Sequence, residues 1–127
     1  MSFKDIKYFR DYVESRIIQY RSNPKNFTEA DIRSIFSRAY YTILLHCRDV
    51  LNLTNIVDES IHSHVRNSIN NQHIKKDVQS YCSIRNKMDY NNVSLDLKNT
   101  GKILADLNSI KRDMNYILSL NKDELNN

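Results

Sequence analysis

Thr28 to Leu53 reads TEADIRSIFSRAYYTILLHCRDVLNL. Neither Gly nor Pro occurs in it, so nothing interrupts a helix along these residues. Thr28 with Asp31 three residues on is a weak capping box, because Asp is shorter than the usual Glu or Gln. Ile32, Ile35, Phe36, Ala39, Tyr40, Ile43, Cys47, Val50 and Leu51 recur at helical spacing and define one buried face. A second stripe of Tyr41, Leu44 and Leu45 lies beside it, bordered by Arg38 and Arg48. A helix apolar on two sides must be covered on two sides, by its own domain or by a second subunit. At ~1.5 Å per residue this helix would be roughly 36 Å long, the height of a small bundle.

The flanking sequence is helical as well. Ile6, Phe9, Val13, Ile17 and Tyr20 form a single stripe in a first helix over residues 2–21, and Pro24 breaks the chain before the second. After a short linker, Ile61, Val65 and Ile69 mark a third helix that weakens at Asn70-Asn71, where it bends or restarts. The pattern resumes with Ile74, Val78, Tyr81, Cys82 and Met88, and Tyr90 to Ser94 reads as a turn. Ile103, Leu107, Ile110, Met114 and Ile117 give the last helix a bundle seam, with Gly101 in its first turn, and the polar tail after Leu120 reads as frayed.

Gly and Pro occur once each in 127 residues, which argues for long helices and few connections rather than strands. The length suits one domain, residues 1–127, with a real core. Net charge +4 tilts partners modestly toward polyanions. No apolar run approaches membrane length and no signal-peptide core fits the first twenty residues. Lys122-Asp123-Glu124-Leu125 resembles an ER-retention signal but is followed by two Asn. Cys47 and Cys82 read as buried thiols of a cytoplasmic protein.

Arg85 is the informative charge. It stands four residues after Tyr81 and three before Met88, on or beside the buried face. A guanidinium there costs desolvation unless a structural contact, a ligand or a partner compensates it. Asp89 offers an i,i+4 ion pair, while Asn86 and Tyr90 offer company for a bound phosphate. Arg66 and His73 formally satisfy R-x6-H but fall at the weakened third helix and read as coincidence. His62 and His64 point away from each other, and nothing completes a metal site at ligand spacing. Lys75-Lys76 and Lys111-Arg112 are small basic clusters of the kind found on solvated helix surfaces.

Two segments together resemble the HEPN family of small helical domains. Ser37-Arg38-Ala39-Tyr40-Tyr41 looks like the S-R-A-Y-Y signature of its second helix, with Arg48 and Val50-Leu51 matching the arginine and apolar pair that follow. Ile84-Arg85-Asn86-Lys87-Met88-Asp89-Tyr90 looks like its R-x-x-A-D-Y segment, and His62-Ser63 also resembles the family. The similarity runs from about Thr28 to Leu120.

The resemblance implies an all-α, up-and-down bundle of four to five helices, usually a two-fold dimer. It implies RNA or a nucleotide as ligand, no cofactor and no metal. It also implies a toxin–antitoxin or antiviral setting, in which some members pair with a minimal nucleotidyltransferase. Arg85 and Asn86 are the candidate catalytic residues; Arg38, Tyr41, Arg48, Asp89 and Tyr90 are the candidate nucleic-acid or nucleotide contacts. Ribonuclease members carry a histidine a short step after the arginine. Here Asp89-Tyr90 stands there, and no histidine follows His73. In the second helix Leu45 holds the position where relatives have histidine, with His46 next to it. Three readings follow: a metal-independent endoribonuclease drawing its base from His46, His73 or a partner subunit; a non-catalytic binding and dimerisation module; or a purely structural interaction domain.

Overall fold

The computed structural model describes the backbone of residues 3–53, 61–89 and 95–127, and the side chains of 5–53, 62–86 and 95–127. These residues form six helices and no strand: α1 Phe3–Ser22, α2 Glu29–Val50, α3 Ile61–Ser68, α4 Gln72–Asp89, α5 Thr100–Leu118 and α6 Lys122–Asn126. A 3-10 turn, Pro24–Asn26, separates α1 from α2. Helix α2 is the hub, packing against α1, α3, α4 and α5, while α1 also meets α5.

The ends of α2 are closed by local chemistry. The capping box forms despite the short Asp: Asp31 N–H donates to Thr28 Oγ1 at 3.2 Å and Thr28 N–H donates to Asp31 Oδ2 at 2.9 Å. At the other end Asn52 takes the left-handed conformation at φ 61°. Leu53 N–H then reaches Arg48 O at 2.8 Å and Asn52 N–H reaches Asp49 O at 3.2 Å, a Schellman closure.

Both stripes of α2 are covered within one chain. Ile32, Ile35, Ala39, Tyr40, Ile43 and Cys47 face the common core, and Leu44 and Leu45 are also buried. Each such aliphatic contributes about 1.5–3 kcal/mol of hydrophobic stabilisation. Leu45 therefore needs no second subunit to cover it, and only Tyr41 of that stripe stays half-exposed.

Of the two courses open at Asn70-Asn71, a bend or a restart, the chain restarts as a separate helix, and the tail expected to fray is corrected to α6. These facts have one cause. Leu125 is wholly buried, and its carbonyl accepts the N–H groups of Asn70 and Asn71 at 3.1 and 2.9 Å. Asn71 Oδ1 in turn accepts from Ile74 N–H at 3.2 Å, capping α4. The tail thus satisfies the donors that the helix break exposes, and α6 is the helix beyond the expected four to five. The expected turn from Tyr90 to Ser94 lies outside the described residues, as does most of the linker after α2.

Glu29 joins the segment before α5 to the start of α2. It accepts from Arg33 at 2.6 Å and from Leu95 N–H at 3.2 Å. Those bonds hold its carboxyl below the usual carboxylate range, Arg33 most of all.

Candidate functional site

The helical period of α2 places Ser34, Ser37, Arg38 and Tyr41 on one face, at steps of i, i+3, i+4 and i+7. Arg85 of α4 closes the opposite side. Together the five line an open groove of about 290 Å³. Three of them, Arg38, Tyr41 and Arg85, were candidate site residues in the sequence; Ser37 was noted only as part of the S-R-A-Y-Y signature, and Ser34 was not noted. Their spacing from Arg38 was the available signal.

Each guanidinium is placed by aromatic rings. Arg38 Cζ lies 4.9 Å from the Phe9 ring centroid and 5.7 Å from that of Tyr12, both on α1. Arg85 Cζ lies 6.0 Å from the Tyr40 ring. Seated on the Phe9 and Tyr12 ring faces, the Arg38 guanidinium keeps its planar N–H edge for an acceptor. Two cationic forks, two hydroxyls and a phenol in one concavity make a set of donors suited to a phosphate or carboxylate.

Behind Arg85 lies an aromatic pair that does not itself line the groove. Tyr40 is buried and stacks on His62 at 5.9 Å with 6° between planes, its hydroxyl 3.2 Å from His62 Nδ1. Burial, and then the thiol of Cys82, push the Tyr40 phenol above its ordinary range, so it stays neutral. His62 also meets Tyr41 edge-on at 6.4 Å. Among the described residues His62 is thus the histidine held beside a groove-lining side chain. The sequence marked His62 only through the resemblance of His62-Ser63, because its approach to Tyr41 depends on how α3 packs against α2.

The other candidates go elsewhere. Asn86 follows Arg85 by one residue, about 100° round the helix. It lines a separate cavity of about 340 Å³ with Arg66, Gln79, Cys82 and Ser83. Arg66 Nη1 donates to Cys82 Sγ there at 2.8 Å, and Asn86 Nδ2 lies 3.9 Å from the same sulfur. Arg48 does not line the groove. It is buried and donates from Nε and Nη2 to Asp49 Oδ1 at 3.1 and 2.9 Å. The side chain of Asp89 and all of Tyr90, and with them the Arg85–Asp89 pair, lie outside the described residues.

The two histidines named as bases are not in the groove. His46 is buried, with Nε2 3.1 Å from Leu120 O. A carbonyl only accepts, so that nitrogen carries the hydrogen. Burial lowers the pKa of His46. His73 is exposed beside Asp77 at 3.6 Å, while Arg66 turns to Cys82, so the R-x6-H pair is not assembled. Cys47 is core, its thiol pushed up to about 12 by burial. Lys75, Lys76, Lys111 and Arg112 are absent from the groove lining. Among the described residues no helix is long and apolar enough to cross a membrane.

Comparison of the chain with protein-family models, with curated proteins and with solved structures finds no match.

Proposed function

We propose that this chain is a HEPN-like domain that binds RNA by its phosphates in the groove between α2 and α4. Arg85 and Arg38 grip the phosphate oxygens, with Ser34, Ser37 and Tyr41 as neutral donors. The observation that carries the reading is the convergence of Arg38, Tyr41 and Arg85, drawn from two separate sequence motifs, on one concavity. The net charge of +4 has the sign that a polyanion requires. A two-fold dimer belongs to the same proposal, and light scattering would then give a mass near twice 15.1 kDa. So does docking of a minimal nucleotidyltransferase on the domain.

The test is fluorescence polarisation with a labelled oligoribonucleotide, for wild type and for Arg85→Ala and Arg38→Ala. Each substitution is expected to weaken binding about tenfold or more, as loss of a charge-assisted contact does. No binding by the wild type, or equal binding by all three, overturns the reading.

A second reading, metal-independent cleavage, is favoured by one observation: His62 packs edge-on against Tyr41, which lines the groove. General-base help to a ribose 2′-OH needs an imidazole within reach of the site. RNA products formed in EDTA, and lost in both His62→Ala and Arg85→Ala, would support it. Binding without products leaves the first reading in place.

A further inference from the structure

One side of the groove continues onto a set of aromatic rings that the core does not use. Tyr8 and Tyr12 stand at i and i+4 on α1, exposed at 68% and 37%. Phe9, half-buried, packs edge-on to Tyr8 with ring centroids 5.9 Å apart. Arg38 connects these rings to the groove, since the guanidinium that lines the cavity also lies over Phe9 and Tyr12. Among the described residues no carboxylate pairs with Arg38. Neither these rings nor the other exposed large apolar residues, Ile18, Leu97 and Tyr116, line the groove itself; Arg38 is what joins the α1 rings to it.

Exposed rings beside a guanidinium and a phosphate-sized groove are the parts a single strand needs. Its bases offer flat faces for stacking, and its backbone follows the positive charge. In a duplex those faces are already stacked on one another and out of reach.

We propose that the groove takes single-stranded RNA, with unpaired bases stacked on the α1 aromatic platform of Tyr8, Phe9 and Tyr12 while the neighbouring phosphate sits against Arg38 and Arg85. This rests on the RNA-binding reading above and adds a base-stacking subsite on α1. Charge complementarity selects this occupant over an apolar partner: a hydrophobic docking surface would gain nothing from the cation bordering the rings, whereas a phosphodiester does.

The experiment compares a single-stranded oligoribonucleotide, a blunt RNA duplex of the same length and a single strand with abasic sites. Proteins are wild type, Tyr8→Ala/Tyr12→Ala and Tyr8→Phe/Tyr12→Phe, each also sized by light scattering. The alanine pair is expected to lose about tenfold or more in single-strand affinity. Weaker duplex binding should be unchanged, and the phenylalanine pair should bind as wild type. Abasic RNA should bind the wild type no better than intact RNA binds the alanine pair.

Wild-type single-strand affinity in the alanine pair overturns the proposal. So does an equal loss on duplex, which would make the rings structural, or conversion of a dimer to a monomer, which would make the face an interface between copies. If Arg38→Ala and Arg85→Ala still lose binding, phosphate recognition survives and only the platform falls. If the wild type binds no RNA, both fall.

Discussion

Arg38 and Arg48 share one helix and one sequence role, yet their surroundings are opposite. Arg38 lies on rings at the edge of a groove, and Arg48 is inside with its side chain 5% exposed, against an Asp49 at 9%. Arg48→Ala leaves the Asp49 carboxylate buried without its cation. It should cost about 3 kcal/mol of stability, read by urea unfolding. Arg38→Ala should cost about 0.5–1 kcal/mol, the worth of an exposed cation–π contact. The two were indistinguishable in the sequence because burial of a side chain is decided by neighbours far along the chain.

His46 makes stability depend on pH in a definite direction. Burial depresses its folded pKa below 6.5. Below about pH 6.5 the unfolded chain therefore takes up a proton that the folded chain refuses, and stability falls. The loss starts as pH drops through the unfolded value and levels off below the folded one. Urea midpoints measured between pH 7.5 and 5.5 should fall in the wild type and fall less in His46→Gln. Glu29 and Asp31 act lower down. Both carboxyls are held below their ordinary values by hydrogen bonds, Glu29 chiefly by Arg33 and Asp31 chiefly by Thr28 N–H. Their contribution is present above about pH 4 and is lost as pH falls through the folded values.

Among the elements, α6 and the start of α5 carry the sharpest consequences. Leu125 is wholly buried, so Leu125→Ala should destabilise the fold by about 2–5 kcal/mol. A frayed tail would give almost no change. One apolar residue in a five-residue helix leaves no period to detect, and the groups it serves, Asn70 and Asn71, belong to a distant segment. Gly101 is the reverse case, fully legible beforehand. It sits in the first turn of α5 with nothing within 4 Å of where a Cβ would be. Gly101→Ala should raise stability by about 0.5–1 kcal/mol, checked by the same unfolding titration.

For the molecule as a whole, a charge of +4 spread over 127 residues is a weak field, so the groove must concentrate it. Two phosphate contacts by Arg38 and Arg85 on single-stranded RNA predict a log–log salt slope of about −1.4, and Arg85→Ala should reduce its size by about 0.7. Polarisation titrations at increasing KCl measure both. A slope near −4 would instead spread binding over the general surface charge.

Helical class, the end of α1, the boundaries of α2, the capping box at Thr28 and the seam of α5 were all readable from the residues. Each rests on contacts between positions three or four apart, which periodicity and local hydrogen bonding specify. The membership of the groove was half readable. Ser34 and Ser37 share a helix face with Arg38 and Tyr41, but that Arg85 meets them and Asn86 does not depends on how α4 is rotated against α2. The same holds for His62 against Tyr41, for Leu45 covered by its own chain and for Leu125 beneath the α3–α4 break. These contacts join residues far apart in sequence, and only the packing of complete helices against one another sets which side chains meet.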